Sequence, residues 1–251
     1  MESLTGHAAL VTGASRGIEA AIARALAAAG ARVAITHRDS AEGAAQVLAG
    51  LHGEGHRAIQ VSATDSEGLR AAAASIAAEE GRLEVLVNNA ATTRRIPHRD
   101  LDALDDDFFD LVMRTNVRGP FATVRAFRDL LARDGGGVVV NISSVAAFIG
   151  NGSNVAYCAS KAALDNMTMS LARALAPEIR VVSVSPGLVD TELTRGWPPE
   201  VRQRMLDDTP LGRLAEPDDV ARTVFAVVTH MPMSTGIVVP VDGGWPLATR
   251  F

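Results

Sequence analysis

The chain has 251 residues, 47% hydrophobic and 21% charged, the size and composition of one large globular domain, which argues against disorder and against a fibrous fold. Lys and Arg number 24 against 29 Asp and Glu, a net charge of −5; no basic footprint is left to grip a phosphate backbone, so DNA and RNA are disfavoured as partners. The single cysteine, Cys158, excludes a disulfide framework and a thiolate metal cluster.

Met1-Glu2-Ser3-Leu4 lacks the basic region and apolar core of a secretory signal. From there, short β-prone apolar runs alternate with longer Ala- and Leu-rich stretches. Ala8 to Thr12, Arg32 to His37, Arg57 to Ser62, Leu83 to Asn88, Val138 to Ile142, Arg180 to Ser185 and Ile237 to Val241 read as strands. Most are continuously apolar, as when helices cover both faces of a parallel sheet. Residues 17–29, 40–51, 66–80, 101–113, 117–133, 154–176 and 217–230 read as helices, with Ser40 and Ser66 as caps for the second and third. This βαβ alternation predicts a single-domain α/β fold over 1–251, a doubly wound, Rossmann-like parallel sheet of about seven strands. Residues 135–160 carry no charge, but Gly, Ser and Asn interrupt them too often for a bilayer span. No membrane association and a cytoplasmic location are the expectations. The stretch 187–213, with Gly196-Trp197-Pro198-Pro199, reads as an irregular connection long enough for a substrate lid.

The first strand-to-helix turn reads Thr12-Gly13-Ala14-Ser15-Arg16-Gly17-Ile18-Glu19. A helix N-terminus offers unpaired N–H donors and positive dipole, and glycines let the backbone approach a pyrophosphate. Without a ligand the same turn would be a tight corner only. Where NAD-preferring dinucleotide folds carry an acidic residue, at the end of the second strand, this chain has His37 followed by Arg38. Arg16 and Arg38 together are suited to a ribose 2′-phosphate, which predicts NADP(H); read separately they are solvated surface cations.

Tyr157 and Lys161 stand four residues apart on a predicted helix and share one face. An unperturbed phenol titrates near 10, and an adjacent cation lowers that value toward useful acid–base chemistry. Taken alone, the pair reads equally as packing plus a surface lysine. It follows Ser144, at the end of the fifth strand, by thirteen residues. No Gly-x-Ser-x-Gly elbow surrounds that serine, which argues against a hydrolase. His52 and His56 flank Gly53-Glu54-Gly55, a loop rather than a helical metal motif. Cys158 reads as a small buried apolar residue. Arg94-Arg95 face the expected substrate mouth, either drawing an acidic substrate or simply solvated. Arg125, Arg128 and Arg133 read as ordinary exposed cations, with docking of an acidic carrier protein as the other reading.

Together these segments resemble the short-chain dehydrogenase/reductase family, over essentially all of residues 5 to 245. The turn matches that family's Thr-Gly-x3-Gly-x-Gly at Gly13 and Gly17, but Glu19 replaces the third glycine. Two placements stay open for that carboxylate: bulk and negative charge beside the phosphates, or a position pointing away that favours the helix dipole. Asn88-Asn89-Ala90-Ala91 resembles the family's Asn-Asn-Ala-Gly, and Ser185-Pro186-Gly187-Leu188-Val189-Asp190-Thr191 its Pro-Gly-x-Val/Ile-x-Thr loop. The resemblance implies catalytic Asn116, Ser144, Tyr157 and Lys161. Tyr157 would be the proton donor, Ser144 the group polarising the carbonyl with Ser143 its structural neighbour, Lys161 the cation that lowers the phenol and holds the nicotinamide ribose, and Asn116, where the family has a helix-interrupting Asn, the holder of a water on a proton path; read alone, Asn116 is only a kink or cap. It implies cofactor contacts from Gly13, Ser15, Arg16, Gly17, Ile18, Arg38, Ser62, Ala63, Asn89, Ala90, Tyr157, Lys161, Pro186, Gly187, Val189 and Thr191, with no metal. It implies an NADPH-dependent reductase of a ketone or 3-oxoacyl carbonyl, similar to the 3-oxoacyl carrier-protein reductases, acting on a small-molecule substrate or an acyl thioester, in a homo-oligomer (dimer or tetramer). An NAD(P)-dependent alcohol or sugar dehydrogenase is the alternative enzyme. A catalytically weak or regulatory protein whose Glu19 impairs cofactor binding is the alternative of another class. Trp197 and Phe148 suggest an apolar substrate wall, or equally packing against the body of the domain.

Overall fold

The computed structural model describes residues 3–13, 17–191, 194 and 199–247. Its seven strands are β1 (Ala8–Val11), β2 (Arg32–His37), β3 (Arg57–Gln60), β4 (Val85–Asn88), β5 (Gly137–Ile142), β6 (Ile179–Pro186) and β7 (Val238–Val241). All pair in parallel in the order β3-β2-β1-β4-β5-β6-β7. Successive strand side chains point to opposite faces, and both faces are apolar here. Ala9 and Val11 of β1 enter one core layer, whereas Ala8 and Leu10 enter the other. Helices α1 (Gly17–Ala28) and α2 (Ala41–Ala49) cover the first layer. Helices α3 (Ser66–Glu80) and α5 (Gly119–Leu131) cover the second. Leu10, Leu26, Leu86 and Phe127 are fully buried, each contributing roughly 1.5–3 kcal/mol through removal from water.

Further helices among the described residues are α4 (Asp106–Met113), α6 (Ala146–Ile149), α7 (Val155–Leu175), α8 (Pro199–Asp207) and α9 (Pro217–Thr229), with a π-helical turn over Arg114–Arg118 and a 3-10 turn over Trp245–Leu247. Strand order reverses between β1 and β4, so a crevice opens at the carboxyl ends of those strands, where ligands of such sheets bind.

Several expected boundaries move. Ser40 is the N-cap of α2, but its backbone at φ −96°, ψ 73° lies outside the extended region that aims a cap, and its hydroxyl makes no cap hydrogen bond. Asp65, not Ser66, caps α3: its carboxylate accepts from the Glu67 and Gly68 N–H groups at 3.1 and 3.0 Å. The helix expected from 101 begins at Asp106, because Asp105 accepts from Phe108 N at 2.7 Å and starts it there. The helix expected over 117–133 is shortened at both ends by the π turn and by Ala132 as C-cap. The stretch 187–213 is not wholly irregular, since Pro199, pre-set for a first helical turn, opens α8, and Arg202 there pairs with Asp190 at 2.9 Å. Trp197 lies outside the described residues. His56 bridges its loop to β2, accepting from Val33 N at 3.1 Å, with its other ring nitrogen 3.0 Å from the His52 carbonyl oxygen.

Candidate active site

Helix α7 opens at a cap. Asn154, 1% exposed, accepts from Tyr157 N at 2.8 Å and donates through its amide to Arg94 O at 2.7 Å and Thr93 Oγ1 at 3.2 Å. The loop after β4 is thereby pinned to the first turn of the helix that carries Tyr157. One turn on, Lys161 is 3% exposed; its Nζ donates to Ile142 O, at the end of β5, at 2.7 Å and lies 5.7 Å from the Tyr157 ring centroid. Ser143 donates to Lys161 O at 3.3 Å, and Ser144 accepts from Ala146 N at 3.2 Å. A strand end and a helix face thus bring Ser144, Tyr157 and Lys161 to one place.

Burial governs the titration of this cluster. It lowers the Lys161 ammonium to about 8, opposed by the nearby Asp165 carboxylate. It also lifts the Tyr157 phenol above its ordinary value, with a hydrogen bond to Ser144 pulling the other way. The expected lowering of the phenol by the ammonium is therefore not the dominant effect in this chain, because both groups lose water together. Asp165, a further turn along α7, is raised by burial against the pull of Ser143, Ser183 and Lys161. Cys158 is buried, and burial raises its thiol.

Asn116 sits in the middle of the π turn, 1% exposed. Its oxygen accepts from Thr92 N at 2.8 Å, and its amide donates to Thr92 O at 3.0 Å and Ser160 Oγ at 3.1 Å. Both amide protons are engaged, so the side chain staples the loop after β4 to α7 beside Lys161.

The cluster opens into a cavity of about 880 Å³ that continues to the start of α1 and the end of β2. Gly13, Ile18, Arg38, Ser62, Ala63, Asn89, Ala90, Ser144, Tyr157, Lys161, Pro186, Gly187, Val189 and Thr191 all line it; Gly17 and Asn116 do not, and Ser15 and Arg16 lie outside the described residues. Gly13 is at φ +76°, and a Cβ there would sit 2.9 Å from Ala90 Cα, so no other residue fits between β1 and β4. Thr12 Oγ1 accepts from Asn89 N at 3.1 Å and Ala90 N at 3.2 Å, fixing the end of β4. Glu19 lines the cavity, and its Oε2 accepts from Asn89 Nδ2 at 3.1 Å. The carboxylate therefore reaches into the crevice instead of pointing away from it. At the far end His37 is buried with Nδ1 unpartnered, Arg38 is exposed and paired with Asp39, and the Ser62 hydroxyl is shared with Thr64 at 2.9 Å.

Arg94 is turned from the mouth, bound to Asp105 at 2.7 Å and stacked 4.0 Å over the Phe108 ring, whereas Arg95 lines the cavity. Phe148 is 55% exposed and is not part of the wall; Trp245, with Val201 and Met205 of α8, supplies the apolar lining instead. Of the three arginines near α5, Arg125 lies 5.5 Å over the Phe121 ring, Arg128 pairs with Asp129, and Arg133 donates to Gly81 O.

A family profile described as enoyl-(acyl carrier protein) reductase matches residues 13–246. A cis-4-hydroxycyclohexanecarboxylate dehydrogenase of Sinomonas cyclohexanicum is 39% identical over 249 residues, 97% of this chain and 98% of its own length. A 3-oxoacyl-(acyl-carrier-protein) reductase of Staphylococcus aureus (strain Mu50) is 35% identical over 240 residues, 94% of this chain and 96% of its own. A solved double mutant of a Serratia marcescens short-chain dehydrogenase/reductase superposes with a TM-score of 0.88 at 31% identity, covering 97% of this chain and 99% of the other. No helix among the described residues is long and apolar enough to cross a membrane.

Proposed function

Because this chain belongs to the short-chain dehydrogenase/reductase family of oxidoreductases, we propose that it is an NADPH-dependent reductase of ketone or 3-oxoacyl carbonyls in which Tyr157 is the proton donor. The observation that carries this reading is the convergence of Ser144, Tyr157 and buried Lys161 on one cavity that runs to the start of α1. The residues present fit a dinucleotide. The cavity runs from Ser144, Tyr157 and Lys161 past the first turn of α1 to Arg38 and buried His37, whose Nδ1 has no partner. Gly13, Gly17, Ile18, Asn89 and Ala90 would hold the phosphates, Arg38 and Arg16 the 2′-phosphate, Ser62 and Ala63 the adenine, Lys161 the nicotinamide ribose, and Pro186, Gly187, Val189 and Thr191 the nicotinamide. When bound, the reduced nicotinamide supplies a hydride to the substrate carbonyl carbon.

The chain's own residues do the rest. Tyr157, neutral because burial lifts its phenol, gives its proton to the carbonyl oxygen as charge develops there. Ser144 hydrogen-bonds the same oxygen. Lys161, held by Ile142 O, lends positive charge beneath the ring and takes part in returning a proton to Tyr157. Any water that Asn116 holds on that path is bound by oxygen, since both amide protons are engaged. The segment 187–213 serves as a lid through Val201 and Met205. A cytoplasmic location and homo-oligomeric assembly go with this reading; the exposed rings of Phe109 and Phe121 support the assembly.

A second reading, oxidation of an alcohol, is favoured by Arg95 in the lining, which suits a substrate carboxylate, and by the relative named for a hydroxycyclohexanecarboxylate. Steady-state rates with NADPH and NADH on a 3-oxoacyl thioester, a cyclic ketone bearing a carboxylate and a polyol separate the two. Fastest turnover of the thioester with NADPH supports the first reading, and fastest oxidation of the carboxylate-bearing alcohol or polyol replaces it with the second.

A further inference from the structure

At the first turn of α1 the free N–H groups and the helix dipole attract negative charge. In this chain a carboxylate already reaches that place. Glu19 is half-buried and lines the cavity. Its Oε2 lies 3.8 Å from the point a Cβ on Gly17 would occupy, and it accepts from Asn89 Nδ2 at 3.1 Å, across the crevice between α1 and the end of β4. The Thr191 methyl lies 4.0 Å from the same point, so the loop after β6 closes over this corner.

We propose that Glu19 is an internal anion in the phosphate-binding corner of the crevice, and that a dinucleotide must displace its carboxylate from α1 and Asn89 in order to bind. This rests on the cofactor part of the proposed function. Two consequences follow from charge alone. The corner favours one anion, so the carboxylate and a pyrophosphate compete for the helix dipole and the Asn89 amide, and in a half-buried crevice their repulsion is stronger than in bulk water. In the chain without dinucleotide, Glu19 satisfies the helix dipole, so the residue that weakens cofactor binding also stabilises α1. Removing its charge exchanges one for the other.

The test compares the full-length wild type with Glu19→Gln and Glu19→Gly. Each is titrated with NADPH by nicotinamide fluorescence at low and high salt, and melted with and without NADPH. Glu19→Gln keeps a side-chain oxygen within reach of Asn89 and removes only the charge. The proposal expects it to bind NADPH about tenfold or more tightly at low salt. It expects the advantage to narrow at high salt, where screening weakens the wild-type repulsion. It also expects a lower melting temperature without NADPH and a larger rise on adding it. Equal or weaker binding by Glu19→Gln overturns the proposal, as does a gain confined to Glu19→Gly, which would mean that bulk and not charge is at work. If none of the three chains binds NADPH or NADH, the cofactor assignment itself falls and this inference with it.

Discussion

The carboxamide oxygen of Asn154 accepts from the backbone N–H of Tyr157 at 2.8 Å, so the residue that caps α7 also sets the position of the phenol. The same side chain donates to Arg94 O and Thr93 Oγ1, tying the first turn of the helix to the loop after β4. Asn154→Ala is expected to cost about 1–2 kcal/mol of stability, as loss of a good cap does, and to lower kcat more than it raises KM, because the acid is displaced and the dinucleotide corner is untouched. Asn154→Asp keeps the acceptor, loses the two donors and falls between. Denaturant unfolding and steady-state kinetics measure both; an alanine variant with wild-type kcat would separate the cap from the chemistry.

Lys161 gives a pH dependence of definite sign. Its ammonium titrates at about 8 in the folded chain against 10.5 for an ordinary lysine. Between those values the unfolded chain holds the extra proton, so stability rises with pH across that window. Below about 8 both states are charged and the burial penalty is fully present; near 10.5 it is gone. Wild type should therefore gain on Lys161→Met by on the order of 3 kcal/mol as pH rises through this window, whatever constant difference separates them at pH 7. Urea unfolding of both at pH 7 and pH 10 reads the change. A constant difference would place the ammonium in water. Reductive turnover should fall as pH rises past about 8, where Lys161 loses its charge while Tyr157, raised by burial, stays protonated.

What the sequence made legible, and what it hid, follows from how local each feature is. Strands such as Val138 to Ile142 and the Tyr157–Lys161 spacing depend on near neighbours and on two simple periods, so they were readable. The π turn was legible only as an interruption at Asn116; its form was not, because it is held by Asn116 reaching back to Thr92 and across to Ser160 on α7. Glu19 could be flagged as a departure from a pattern, yet its partner Asn89 lies 70 residues away in the chain. Asn154 was legible as the start of the helix expected over 154–176, but its amide bonds to Thr93 and Arg94 were not, because those partners lie 61 and 60 residues away in the chain. Lys161's depressed titration depends on complete burial, which the Tyr-x3-Lys spacing alone does not state.

Cofactor choice should depend on Arg38. Its side chain is exposed beside Asp39 at the end of β2, at the edge of the cavity. Arg38→Ser is expected to lower kcat/KM for NADPH about tenfold or more, equivalent to ~1.4 kcal/mol, and to leave NADH within about threefold, because only the 2′-phosphate loses a partner. Parallel initial-rate measurements with both dinucleotides test it. A wild type that prefers NADH would refute the 2′-phosphate assignment.

The account turns on the phenol of Tyr157, and single-turnover reduction by Tyr157→Phe under saturating NADPH tests it most directly. The ring keeps its packing and loses one proton, so NADPH binding and melting temperature should stay near wild type while the rate of carbonyl reduction drops by roughly 10²–10⁴. A phenylalanine variant that reduces the same carbonyl within a few-fold of wild type would contradict the account.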